Sequence, residues 1–251
     1  MSYHKNYLLT VAYANQNVLE KSYDQLRRTM VTDPLPVMMF DNCYPMNWIG
    51  HGHDLSVRKN FQYFTHGVNV GLYKAWEYLL SKIPDDCEKV ILYDGDNFPT
   101  QPDWHLALLK VLDSPEVVHS TLMNSVILNE LKTRDFGREK IEGYRCYVVK
   151  QAMTNTVCAF KTSFLREIGG VLGGKKYYGG NEITMWPHYK GRKWVFLEDF
   201  WEDKPVMMGL HDWQYQQYKM LYAHKNLDMS FEQYYSSNPE RIDNIEKHIW
   251  P

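Results

Sequence analysis

Asp94 and Asp96 stand one glycine apart, directly after the apolar run at residues 90–93 and just before Pro99. A short apolar run bounded by turn residues reads as a buried strand, so the two acids fall at a strand's carboxyl end. In an open α/β sheet that end faces the ligand crevice. Two hard oxygen donors there suit Mg²⁺ or Mn²⁺, and such an ion can in turn hold a diphosphate. A solvated Asp-Gly turn is the plainer reading of the same residues. Asp41 and Asn42 follow a second apolar stretch, 36–40, in the same way, and Asn69 leads through Gly71 into a helical pattern. Asp and Asn also favour strand ends and caps for purely local reasons.

Further along, Lys175, Lys176, Lys190, Arg192 and Lys193 bracket Glu182, with Tyr177, Tyr178 and Trp186 between them. A basic rim with interleaved rings suits a phosphate-bearing acceptor, nucleic acid included; ordinary surface charge is the plainer reading of the same residues. Glu198, Asp199, Glu202 and Asp203 are further acids, in a run that reads as a solvated loop with two buried aromatics. His51, His53 and Asp54 have metal-like residue types, but no helix or strand pattern surrounds them and they read as a loop.

The elements that must position these residues alternate. Residues 7–14 form a first strand, and Asn17 with Glu20 has capping-box spacing ahead of Leu19, Tyr23, Leu26 and Met30 at helical spacing. A strand at 36–40, a possible third at 60–64 and a helix bearing Leu72, Tyr73, Trp76, Leu79 and Leu80 precede the strand of Asp94. Asp103 caps a helix with Leu106, Leu109 and Leu112. The alternation predicts an α/β fold, a central mostly parallel sheet flanked by helices. The second half is less regular: one or two strands within 117–128, a charged loop or helix at 131–144, strand within 148–161, and a short helix at 163–168 ended by Gly169 and Gly170. A last helix begins at Asn238-Pro239 with Ile242, Ile245 and Ile249 on its face.

Across 251 residues, 44% hydrophobic and 23% charged with a net charge of −2, the composition is that of a globular protein without a global pull toward nucleic acid or membrane. No apolar run approaches the ~18–20 residues of a membrane span. Four cysteines without CxxC spacing argue against a zinc or redox motif and fit a reducing compartment. With a first strand starting at Tyr7, leaving no room for a signal peptide, the expected location is cytoplasmic.

Taken in order, these segments resemble a nucleotide-sugar-dependent glycosyltransferase of the GT-A fold, a Rossmann-like sandwich, over about residues 7–211. Asp94-Gly95-Asp96 stands where that family carries its DxD metal motif, similar to family 2 and to galactosyl- and N-acetylgalactosaminyltransferases. Asp41 resembles the nucleobase-side Asp, and Asn69-Val70-Gly71 the Asn-x-Gly ahead of the metal strand. The segment with Gly179, Gly180, Asn181 and Glu182 is similar to the family's Trp-Gly-Gly-Glu-(Asp/Asn) segment, and His211 stands where those enzymes often have a metal-binding His. The resemblance implies a UDP-sugar donor, Mn²⁺ or Mg²⁺ held by Asp96 and His211 with Asp94 on the metal or the ribose, and Glu182 as general base. It also implies one GT-A-like domain over 1–251: a nucleotide-sugar-binding half (1–100), an acceptor and catalytic half (101–223) and a helical tail (224–251). Aligned on the glycines, Glu182 falls on the catalytic acid of inverting enzymes; aligned on the following helix, it falls on the second acid of retaining ones. Pro187 interrupts that helix, and both outcomes stay open. The acceptor is a hydroxyl of a glycan or, by analogy with phage enzymes and through the basic rim, a hydroxymethylated base of DNA. A sugar nucleotidyltransferase would need a Gly-rich, Arg-containing loop after the first strand, where this chain has Ala-Tyr-Ala-Asn-Gln-Asn. A non-catalytic glycan- or nucleotide-binding module on the same fold would bind without turnover.

Overall fold

The computed structural model describes residues 5–13, 16–42, 51–67, 70, 72–151, 157–170 and 186–203. The first half alternates strictly: β1 (Asn6–Ala12), α1 (Gln16–Thr29), β2 (Val37–Asp41), α2 (His51–Lys59), β3 (Gln62–Thr65), α3 (Leu72–Leu80) and β4 (Lys89–Asp94). The second half holds β5 (Phe98–Pro99), α4 (Trp104–Val111), β6 (Val117–Met123), α5 (Ser125–Leu131), β7 (Phe136–Ile141), β8 (Tyr144–Val149), β9 (Cys158–Lys161), α6 (Thr162–Ile168), a 3-10 turn (Trp186–Tyr189) and β10 (Lys193–Asp203). The strands join in one sheet, ordered β3-β2-β1-β4-β9-β6-β10-β8-β7, with β5 paired to β10.

The order of the first four strands decides where a ligand can sit. β1 pairs in parallel with both β2 and β4, and β2 with β3. The chain thus walks outward from β1 to β3 and then returns to the other side of β1. That reversal is a topological switch point, and the crevice it opens lies at the strands' carboxyl ends. Val11 lies opposite Asp94 and Ala12 opposite Asp41, so two of the sequence-derived acids flank this crevice. β9 then runs antiparallel between β4 and β6, and β10 resumes the common direction beside β6.

Alternate side chains of the central strands enter opposite cores. Leu8, Ala12, Ile91 and Tyr93 pack with α1, α2 and α4; Leu9, Val11, Val90 and Leu92 pack with α3, α5 and α6. Burial on both faces is why these strands read as continuous apolar runs. α1 buries Val18, Leu19, Ser22, Tyr23, Leu26 and Thr29, one stripe of a 3.6-residue period. Arg27 at its end donates to the Lys59 and Asn60 carbonyls, 3.0 and 2.9 Å, and so caps α2.

Several expectations change. Residues 51–59 are a helix rather than a loop, because Leu55 is fully buried and Arg27 holds the last carbonyls; tertiary contacts carry a helix whose own propensity is poor. The charged stretch 131–144 ends α5 and forms β7, an edge strand paired with β8 whose central Arg138, Glu139 and Lys140 are exposed; charge along an edge discourages further pairing. The run 198–203 is not a solvated loop but the continuation of β10, with Phe200 and Trp201 half-buried. Residues 117–128 hold a strand and then a helix. Asn17 lies inside α1, which begins at Gln16. Asp103 occupies the N-cap of α4 in the left-handed region (φ 56) without capping it. Gly169 ends α6 in the left-handed region, φ 79, as expected.

Candidate functional site

The turn after β4 is built from beneath. Asn97 N–H returns to the Asp94 carbonyl at 3.2 Å, and Gly95 N–H reaches the Val11 carbonyl at 3.2 Å. A Cβ on Gly95 would lie 2.7 Å from Leu19 Cδ2, 3.0 Å from the Val11 oxygen and 3.1 Å from the Tyr23 hydroxyl, so glycine is what lets the turn sit this low over β1 and α1. Ser22 Oγ and the Tyr93 hydroxyl donate to the Asn97 carbonyl at 2.8 and 2.5 Å. The Tyr23 hydroxyl is 3.1 Å from Thr10 Oγ1. Burial raises the pKa of both tyrosines, and the charges of Asp41, Asp94 and Asp96 raise Tyr23 further. They therefore remain phenols, able to donate. Asp94 and Asp96 are half-buried while Gly95 and Asn97 are buried. The chain thus presents two carboxylates on a braced, buried turn.

Asp41, at the end of β2, is held from two sides. The Tyr63 hydroxyl of β3 donates to its Oδ2 at 3.0 Å, and α2 passes so close that a Cβ on Gly52 would fall 2.1 Å from the same oxygen. Its neighbour Asn42 is buried; its N–H bonds the Ala12 carbonyl at 3.0 Å and its Oδ1 accepts Val70 N–H at 2.8 Å. Asn42 thereby ties the chain entering α3 to the end of β2.

A further acid reaches this edge. Leu197 pairs with Leu122 but Trp201 with Met123, so β10 bulges at 198–200 before its end pairs antiparallel with β5. Arg145 ion-pairs with Asp199, and Tyr147 donates to Glu198 Oε1 at 3.1 Å, which fixes the bulge. Beyond it Glu202 is 1% exposed, lying opposite Pro99. Its Oε1 accepts from Asn124 Nδ2 at 3.1 Å and its Oε2 from Val157 N at 3.3 Å, while Asn124 Oδ1 caps α5 through Ile127 N at 2.9 Å. Its charge is among those raising Tyr93.

Asn69, Gly179, Gly180, Asn181, Glu182 and His211, with Lys175 and Lys176, lie outside the described residues. Among the described residues no three His, Cys, Asp or Glu side chains gather into a metal-holding group. Two carboxylates on one turn still fit Mg²⁺ or Mn²⁺, which keep several waters and share their shell with substrate phosphates. The basic rim changes: Arg192 is paired with Glu167 at 2.7 Å, and Lys193 with Glu116 and Glu139 at 2.8 and 2.5 Å. Lys193 pairs with Val117 at the amino ends of β10 and β6, the edge away from Asp94. Neither offers an uncommitted charge to a nucleic acid; Lys190 is exposed. Cys146 is pushed up to about 12 and Cys87 also upward, both chiefly by burial, so neither thiol is a nucleophile at neutral pH. No described helix is long and apolar enough to cross a membrane.

No family model matches the chain, and no curated protein matches its sequence. Its structure is similar to solved glycosyltransferases, and the likeness shows a fold of the GT-A type. One is the mannosyltransferase PcManGT from Pyrobaculum calidifontis in complex with GDP-Man and Mn²⁺: TM-score 0.60, 15% identity, over 90% of this chain and 66% of that one. Another is S. aureus TarS 1–349, at TM-score 0.54 and 9% identity over 98% of this chain and 76% of that one. TarS 1–349 in complex with UDP gives 0.53 and 13%, over 91% and 68%.

Proposed function

We propose that this protein is a metal-dependent glycosyltransferase that moves a sugar from a UDP-sugar to a hydroxyl acceptor. The observation that carries the reading is the placement of Asp41 and of Asp94-Gly95-Asp96 on either side of β1, at the sheet's switch point. The solved neighbours add weight, since their complexes hold GDP-Man with Mn²⁺ in one case and UDP in another. The first hundred residues bind the donor in this reading and 101–223 face the acceptor.

Asp41 takes the base, Asn69 the ribose or base, and Gly179, Gly180 and Asn181 line the donor side. Asp96 with His211 holds a divalent ion, and Asp94 supports the ion or the ribose. When bound there, such an ion would supply positive charge against the diphosphate leaving group. Glu182 accepts the acceptor hydroxyl's proton in an inverting transfer and hydrogen-bonds the donor sugar in a retaining one. Tyr23, Tyr93 and Ser22 do no chemistry; they keep the turn from moving when charge develops above it.

The test is nucleoside-diphosphate release from a panel of nucleotide sugars, with Mn²⁺ and with EDTA. The expected result is Mn²⁺-dependent release from one uridine-linked sugar, falling by about 10²–10³ in Asp96→Ala with little change in melting temperature. Undiminished release in EDTA would refute the metal role. Silence across the panel, together with no donor binding by calorimetry, would refute the reading itself.

A further inference from the structure

Three of the four acids at the end of β10 are accounted for by the fold. Glu198 accepts the Tyr147 hydroxyl, Asp199 pairs with Arg145, and Glu202 is buried against Asn124 and Val157. Asp203 is different. It is half-buried, and its carboxylate has no hydrogen-bond or ion-pair partner among the described residues. Successive side chains of a strand leave it on opposite faces, so Asp203 does not share the donors that satisfy Glu202. A carboxylate that gives up part of its water without gaining a donor is costly. A ligand that brings a donor would remove that cost.

The backbone fixes where Asp203 stands. β10 runs in the direction of β6 and β4, so its end lies at the same carboxyl edge of the sheet as Asp94. There Asp203 lies opposite Phe98, two residues beyond Asp96. Paired Cα atoms are about 5 Å apart and two residues of chain span at most about 7 Å, so the Cα atoms of Asp203 and Asp96 lie within about 12 Å. Thr100 N donates to the Trp201 carbonyl at 2.9 Å and Trp201 N to Gln101 Oε1 at 2.7 Å, which holds this end of β10 against the chain leaving the turn. Even so, Asp203 does not join Asp94 and Asp96 in a metal-holding group among the described residues. It stands off from them, at the reach of what a diphosphate bound over the turn would carry.

Carboxylates accept hydroxyl hydrogens in short, charge-assisted bonds, and the sugar is the hydroxyl-rich end of a nucleotide sugar. We propose that Asp203 is a substrate-binding residue that accepts a hydroxyl hydrogen of the donor sugar. This rests on the nucleotide-sugar reading above and deepens it by naming a residue that holds the sugar rather than the nucleotide.

The experiment is calorimetric titration of the full chain with UDP and with UDP-glucose, UDP-galactose and UDP-N-acetylglucosamine, each with Mn²⁺, for wild type, Asp203→Ala and Asp203→Asn. Wild type is expected to bind UDP and at least one of the UDP-sugars. In Asp203→Ala the affinity for that UDP-sugar is expected to fall about ten- to a hundredfold, the loss of a hydrogen bond to a charged group, while UDP changes by less than about twofold. Asp203→Asn, which keeps one acceptor oxygen, is expected to fall between. Both variants should melt with wild type, since neither removes a bond to a described residue. Three results would overturn the inference and leave the glycosyltransferase reading standing: UDP-sugar affinity unchanged in both variants, UDP and UDP-sugar weakened alike, or a wild type that binds UDP but no UDP-sugar of the panel. A wild type that binds neither UDP nor any UDP-sugar would overturn both.

Discussion

Glu202 is the side chain whose role is hardest to see in the sequence. It sits in an acidic run, yet it is buried, and its bonding partners are 78 residues away at Asn124 and 45 away at Val157. Both partners are donors, so an acceptor-only group satisfies them. A glutamine would turn an amide N–H toward one of them and leave that donor unpaired. The expected cost of Glu202→Gln is about 1–3 kcal/mol, or a fall of roughly 2–10 °C in melting temperature for a chain of this size. Reversing the polarity should repair it. In Asn124→Asp/Glu202→Gln the new amide can donate to the new carboxylate, its carbonyl can accept from Val157, and the α5 cap keeps an acceptor. Thermal denaturation of the three variants decides the matter: a double variant as unstable as the sum of the singles would show that the pair does not act through this bond.

At the scale of elements, α1 is the brace on which the turn after β4 rests. Gly95→Ala tests that brace. Elsewhere a Gly to Ala change without strain gains about 0.4–1 kcal/mol; here the added methyl meets the Val11 carbonyl, which is backbone and cannot rotate away. The turn must rise and carry Asp94 and Asp96 with it, at an overpacking cost of about 1–3 kcal/mol. Donor hydrolysis is expected to fall at least tenfold while the protein remains folded, and wild-type rates in Gly95→Ala would sink the idea that the turn's height matters. The sequence shows the acids of this turn but not its brace, and the contrast has a physical cause. β1, β2 and β4 are legible because burial on both faces makes them unbroken apolar runs. Asp41 and Asp94 are legible because they end such runs. By contrast, α2 exists through Arg27 and Leu55, β7 through an edge pairing, and the end of β10 through a bulge. Tyr63 and Ser22 meet the site only across 22 and 75 residues of chain. Such contacts leave no periodicity to read.

At the scale of the whole molecule, the two halves share one sheet and are also latched where α4 meets the loop after α1. The Asp103 carboxylate accepts from Val31 N, Thr32 N and Thr32 Oγ1 at 3.0, 2.7 and 2.8 Å, and Trp104 Nε1 donates to Thr29 Oγ1 at 2.9 Å. His105, fully buried, donates from Nε2 to the Thr32 carbonyl at 3.0 Å, while its Nδ1 is buried without a partner among the described residues. Burial lowers the His105 pKa; the two carbonyls and the charges of Asp103 and Asp33 only partly oppose this. A lowered histidine binds fewer protons folded than unfolded. Its contribution is thus complete above the unfolded value of about 6.5 and is lost as pH falls through the lower folded value. His51, also lowered chiefly by burial, acts in the same direction. The carboxylates of Asp103, Asp113 and Asp199 are held low by hydrogen bonds and ion pairs, so their contributions persist until pH falls below the usual carboxylate range. Acid destabilisation should therefore come in two stages, the first beginning near pH 6.5, well before the carboxylates protonate. His105→Gln keeps a donor for the Thr32 carbonyl and removes the titration. Melting temperatures measured from pH 8 to 5 at constant ionic strength should decline less steeply in that variant than in wild type. Parallel curves would mean that the joint between the halves does not feel this proton, and that the early acid loss arises elsewhere.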